Sequence, residues 1–183
     1  MDDIKRITMA VLVDNAAGVL SQVTRLFSRK GYNIESLAVG TTEDPAISRI
    51  TIEVLTDEDH ALLLSNQLRK LFPVHSVKLL TPKRSIRREL ILLKVRAATG
   101  EKRNEVIQIA NIFRAHIIDV STGSLTIALI GDENKTMAIQ AIMEQFEILE
   151  LARTGIVAME RGAETITADT KERSEFQLGK SYR

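Results

Sequence analysis

Residues 14–35 read DNAAGVLSQVTRLFSRKGYNIE, and they decide how the chain is organised. Val19, Leu20, Val23, Leu26 and Phe27 recur at helical spacing and form one apolar face. Ser21, Gln22, Arg25, Ser28 and Arg29 fill the opposite face. Asp14 or Asn15 is placed to cap the helix start, and Gly31 lies just past its basic last turn. Ile7 to Val13 before it alternates as a strand, with Ile7, Met9, Val11 and Val13 on one side and Thr8, Ala10 and Leu12 on the other. The stretch is thus a strand, a loop of small residues and a helix. The free N–H groups and the positive dipole end of the helix point into that loop. A carboxylate or phosphate fits such a place, and the same residues also make an ordinary strand-to-helix turn.

Working outward, Asn33 to Thr41 is a second strand, Glu43-Asp44-Pro45 a turn and Ser48 to Val54 a third strand. Thr56 to Asp59 opens a helix whose core face is Ala61, Leu64, Leu68 and Leu71; Pro73 follows it, and Val74 to Leu80 is a fourth strand. Strand, helix, strand, strand, helix, strand is the ferredoxin-like order, an antiparallel sheet with both helices on one face. The order then repeats through Glu89–Ala97, Glu101–Phe113, His116–Val120, Leu125–Ile130, Asn134–Phe146 and Ile148–Ala152, with a short last strand at Ile156–Met159. The expected fold class is α+β: two tandem ferredoxin-like βαββαβ domains, residues 4–80 and 89–160. Residues 81–88 (TPKRSIRR) read as a basic linker, and residues 161–183 as a polar, weakly periodic tail. An exposed sheet edge invites pairing with a second copy.

Composition narrows the function. The 183 residues are 44% hydrophobic, 27% charged and only 4% aromatic, with a net charge of +1. Neither a stacking platform for bases nor a field attracting nucleic acid or membrane is expected. The chain has no cysteine, so disulfides, thiolate metal sites and cysteine nucleophiles are excluded. No apolar run approaches the roughly 18 residues of a membrane span, and the acidic start lacks a signal-peptide pattern, so a cytoplasmic protein is expected, or an organellar one whose targeting segment is absent. His60, His75 and His116 are scattered, and no metal site is expected from them. Gly179-Lys180-Ser181 lacks the upstream glycine of a P-loop, and Gly131-Asp132-Glu133 reads as a helix-capping turn. No catalytic constellation emerges. The loop from Asp14 to Gly18 is the one candidate site.

Here the residues carry a resemblance. The Asn15–x–x–Gly18–Val19–Leu20 loop, the run Leu26-Phe27 through Gly31-Tyr32-Asn33-Ile34-Glu35-Ser36-Leu37, and Ser48-Arg49-Ile50-Thr51-Ile52 resemble the amino-terminal ACT domain of the small regulatory subunits of acetolactate synthase (acetohydroxyacid synthase). Arg88-Glu89-Leu90, Ile112 to Val120 and Ala152-Arg153-Thr154-Gly155-Ile156-Val157-Ala158 extend the likeness across the second half. Ala17 departs from the Pro or Ser that the family often places before the loop glycine. The resemblance implies a noncatalytic subunit in branched-chain amino-acid biosynthesis. Its partner would be the catalytic large subunit, which carries thiamine diphosphate, Mg and FAD, while this chain holds no cofactor. It would activate that subunit and confer feedback inhibition by valine or another branched-chain amino acid. The effector would sit between ACT domains of a homodimer, on Asn15, Ala16, Ala17, Gly18, Val19 and Leu20 of one chain and Asn33 and Ile34 of the other. Gly18 allows close backbone approach, Asn33 offers a hydrogen bond to a charged end group, and Ile34 offers apolar contact. The alternatives are a free-standing ACT-type sensor acting on another enzyme or a transcription factor, an RNA-binding domain, which would need aromatics on the sheet, and an enzyme, which would need catalytic residues.

Overall fold

In the computed structural model, which describes residues 4–169, the alternating first strand becomes the centre of a sheet. β1 (Lys5–Asp14) turns Ile7, Met9, Val11 and Val13 toward one core. It is followed by α1 (Val19–Arg29), β2 (Ile34–Thr41), β3 (Ile47–Thr56), α2 (Glu58–Leu68) and β4 (Val74–Leu80). The strands pair antiparallel in the order β2-β3-β1-β4. Val23, Leu26 and Phe27 of α1 and Ala61, Leu64 and Leu68 of α2 are buried with Ile50, Ile52 and Val54 of β3. Each such side chain contributes about 1.5–3 kcal/mol on leaving water, so the stripe read from residue spacing is what seats both helices. Val39 stays half exposed near the end of β2, which is an edge strand.

The second half repeats the plan with β5 (Ser85–Arg96), α3 (Gly100–Ile112), β6 (His116–Val120), β7 (Ser124–Gly131), α4 (Glu133–Met143) and β8 (Ile148–Arg153), in the sheet order β6-β7-β5-β8. Its core joins Ile91, Leu93 and Val95 to Leu125, Ile127 and Leu129, under Val106, Ala110, Ile139 and Met143. The buried stripe of α4 is Thr136, Ile139 and Met143, with Ala138 exposed and Ile142 outward. Thr136 takes an inner place because its hydroxyl donates to the buried Glu89 carboxylate. The fold is therefore α+β, two βαββαβ units in tandem.

Three expectations change. Residues 81–88 are not a solvated linker. Pro82–Arg84 makes a single turn, and β5 already begins at Ser85. Ser85–Arg88 pairs with β9 (Val157–Glu160), from Ser85 opposite Glu160 to Arg88 opposite Val157. The basic residues find partners there: Arg87 meets Glu53, and Arg84 meets Glu164 at 2.5 Å.

The polar tail is also structured at its start. Ile166 is buried with Ala10, Leu12, Leu80, Ile156 and Ala158, so residues 156–166 cover the outer face of the first sheet. The Ser76 hydroxyl donates to the Ile166 carbonyl at 2.8 Å. Residues 170–183, including Gly179-Lys180-Ser181, lie outside the described residues.

Third, neither Asp14 nor Asn15 caps α1. Asp14 remains in β1 and its carboxylate meets His75 Nε2 at 2.6 Å, while Asn15 Nδ2 donates to the Pro45 carbonyl at 2.9 Å. The helix starts from Gly18 at φ 83, a left-handed conformation that glycine adopts without penalty.

Candidate functional site

The loop between β1 and α1 is pinned at its base and open at its tip. The Asn15 N–H donates to the Ala46 carbonyl at 2.7 Å, and Val19 N–H closes a turn on Ala16. Asn15, Ala16, Ala17 and Gly18 are all exposed. α2, α3 and α4 are each capped by a side chain, from Asp57, Thr99 and Asp132. No side chain caps α1. The N–H groups of its first turn and the positive end of its dipole therefore face an open surface. Leu20 is 40% exposed beside them, whereas the Val19 side chain is turned into the core, leaving only its backbone for a ligand.

Asn33 and Ile34 stand at the other end of α1, beyond Gly31 at φ 75. Asn33 is exposed and its Nδ2 donates to Glu35 Oε1 at 2.7 Å; Ile34 is partly buried against the first core. The loop and Asn33 are separated by the length of an 11-residue helix, about 16 Å at the usual rise. Within one protomer the structure does not bring these two groups together.

A second feature escaped the sequence. Between the two sheets lies a cleft of about 510 Å³ lined by Arg6, Glu35, Glu53, Glu89, Glu133 and Arg153, among others. Its walls are tied by charge. Glu53 is fully buried on β3, where it accepts from Thr8 at 2.8 Å and from Arg87 of β5. Burial pushes the Arg87 guanidinium down, against the pull of Glu133. Glu89 takes hydrogen bonds from Thr136 and, at 2.9 Å, from Arg153, and Arg6 of β1 reaches Glu133 at the start of α4. At one edge the Ile156 N–H donates to the Ser36 hydroxyl at 2.8 Å; beyond the cleft, Arg49 donates to the Ala158 carbonyl at 2.7 Å. Arg153 and Gly155 lie in the sequence run that carries the family resemblance; Glu53 and Arg87 had no signal, since they pair across 34 residues.

Residues 9–76 match the family described as the AHAS small subunit-like ACT domain, and residues 88–162 match that described as the small subunit of acetolactate synthase. The chain belongs to the acetolactate synthase small-subunit family. It is 50% identical over 155 residues to the probable acetolactate synthase small subunit of Archaeoglobus fulgidus, covering 85% of this chain and 96% of that one. It is 44% identical over 155 residues to the acetolactate synthase small subunit of Mycobacterium leprae, covering 85% and 91%. The crystal structure of the acetolactate synthase small subunit from Thermotoga maritima superposes with a TM-score of 0.82 at 37% identity, covering 88% of this chain and all of that one. The first βαββαβ unit is thus the ACT domain of this family, and both the candidate loop and Asn33 fall inside it. The interdomain cleft joins it to the unit that carries the second family match. Among the described residues no helix is long and apolar enough to cross a membrane, and no group of three or more His, Asp or Glu is placed to hold a metal ion.

Proposed function

We propose that this chain is the regulatory, noncatalytic subunit of an acetolactate synthase, a transferase of branched-chain amino-acid biosynthesis in the cytoplasm. Its partner is a large catalytic subunit dependent on thiamine diphosphate, with Mg and FAD. The small subunit activates that partner and makes it sensitive to valine or another branched-chain amino acid. The supporting observation is the family match on both βαββαβ units. A free-standing ACT sensor accounts for the first unit only.

The effector site takes Asn15, Ala16, Ala17, Gly18, Val19 and Leu20 from one chain and Asn33 and Ile34 from a second. Because the two groups sit at opposite ends of α1, a site using both needs a homodimer. β2 is an edge strand of its sheet, and its free side suits that pairing. The uncapped N–H groups of α1 receive the effector carboxylate, and Ile34 with Leu20 contacts the branched side chain.

Capture from native extract tests this reading. The expected co-purifying protein is a large subunit of about 60 kDa, the size of a chain needing several domains, carrying thiamine diphosphate. The isolated small subunit is expected to make no acetolactate from pyruvate and to raise the rate when added to the large one. Turnover by this chain alone, or no stimulation on mixing, contradicts it.

A further inference from the structure

We infer that the Ser36–Ile156 contact, together with Glu35, couples the effector position at Asn33 to the second domain. This inference rests on the functional reading above and specifies how that site acts at a distance.

Asn33 is where the coupling begins. Its amide donates to Glu35 at 2.7 Å. An effector carboxylate beside Asn33 would draw on the same side-chain amide and pull it away from Glu35. Glu35 is also part of the interdomain cleft, facing a wall that includes Arg6 and Arg153. A shift of Asn33 toward a ligand therefore releases a carboxylate into a cleft whose ion pairs join the two domains.

The backbone supports the same route. The pairing of β2 with β3 is irregular between Ile34 and Ser36, leaving Glu35 at a break in register. Such breaks are local points where a strand bends. Ser36, just beyond it, accepts the Ile156 N–H at 2.8 Å. Gly155 packs there so closely that a Cβ would meet the Ser36 hydroxyl oxygen at 2.8 Å and the Leu37 carbonyl oxygen at 3.1 Å. Ile156 leads into β9, which pairs with Ser85–Arg88 at the start of β5, and β5 continues into the second sheet. Movement at the start of β2 thus has a direct mechanical path of two residues to a strand shared with the second domain. Coupling of this kind requires an element with two arrangements that both sites bias; in this proposal that element is the Asn33 amide with the register break beside it.

Full-length wild type, Ser36→Ala and Glu35→Gln are compared, with Ser76→Ala as a control that removes a hydroxyl bonding the same covering segment at Ile166, away from β2. Valine is the probe. Calorimetry reads its binding to the small subunit, acetolactate formation by the rebuilt holoenzyme reads inhibition, and hydrogen exchange reads the amides of residues 155–160. Wild type and Ser76→Ala are expected to bind, to be inhibited, and to change exchange at 155–160 on binding. Ser36→Ala is expected still to bind valine, to lose at least half of maximal inhibition, and to show no valine-dependent exchange there. Glu35→Gln keeps an exposed position and is expected to shift both coupled readouts the same way, so a Ser36→Ala chain that fails to fold leaves the test standing. Wild-type inhibition and exchange in Ser36→Ala, or in Glu35→Gln if that variant alone folds, overturn the coupling while valine binding by wild type preserves the functional reading. Absence of valine, leucine and isoleucine binding by wild type overturns that reading, and the coupling with it.

Discussion

Gly155 lies against Ser36, and a Cβ built on it would stand 2.8 Å from the Ser36 hydroxyl oxygen. Gly155 also holds φ +77, where an L side chain is strained. Gly18 has the same kind of backbone, φ +83, but open space around its missing Cβ. Gly18→Ala is therefore expected to cost only the left-handed penalty, about 1–2 kcal/mol. Gly155→Ala should cost clearly more, because the domain junction must shift as well. Urea midpoints of the two variants check the order; equal losses contradict the tight junction.

The buried Glu53 carboxylate makes Arg87 necessary. Arg87→Met leaves Glu53, fully buried, without its cationic partner. Breaking such a pair from one side costs about 3–5 kcal/mol, whereas replacing both partners with apolar residues is often neutral. Arg87→Met with Glu53→Leu is thus expected to be more stable than Arg87→Met alone. Additive losses in a double-mutant cycle would show that the two charges do not interact.

Ile166 tests the correction at the chain's polar end. If residues 156–166 cover the first sheet, Ile166→Ala should destabilise by about 2 kcal/mol or more, as for a core isoleucine. A change within a few tenths, the usual range for a surface site, would return this segment to the solvent.

The first sheet was legible because its inner faces alternate on one strand and recur on the helices, as with Ile7, Met9 and Val11 under Val23 and Phe27. The helix starts at Asp57 and Asp132 were legible for a local reason: each cap side chain bonds an N–H three residues on. The start of α1 was misread because Gly18, not a polar side chain, ends the loop. Ser85–Arg88 looked like a linker because its partner strand, Val157–Glu160, is remote in sequence and such pairing leaves no local period. The candidate site residues came from the motif around Asn15 and Asn33. The cleft did not, because its ties, such as Arg153 to Glu89 and Arg6 to Glu133, join residues with no common local pattern.

Asp57 gives the fold a pH dependence. The His60 backbone N–H, followed by contact with the His60 side chain, holds the Asp57 carboxyl below the usual aspartate range. A depressed folded-state value contributes stability that is present above the unfolded value, about 3.9, and is lost as pH falls through the folded value. The Arg96 guanidinium holds Glu147 low in the same sense. Asp57→Asn keeps a capping side chain but cannot titrate. Its unfolding midpoint should therefore fall less than that of wild type between neutral pH and the acid range. Parallel curves would place the acid sensitivity elsewhere.

Inhibition of the rebuilt holoenzyme by valine, leucine and isoleucine, with wild-type or Gly18→Asp small subunit, tests the central claim most directly. The new carboxylate would enter the loop that receives the effector carboxylate, opposing like charges where the α1 N–H groups converge. Asn33→Ala, which removes a hydrogen bond to a charged ligand worth about 1.5–3 kcal/mol, should move the curve less. The account predicts that Gly18→Asp still activates the large subunit while inhibition shifts out of the range that acts on wild type. An unchanged inhibition curve in a folded, activating Gly18→Asp subunit would contradict it.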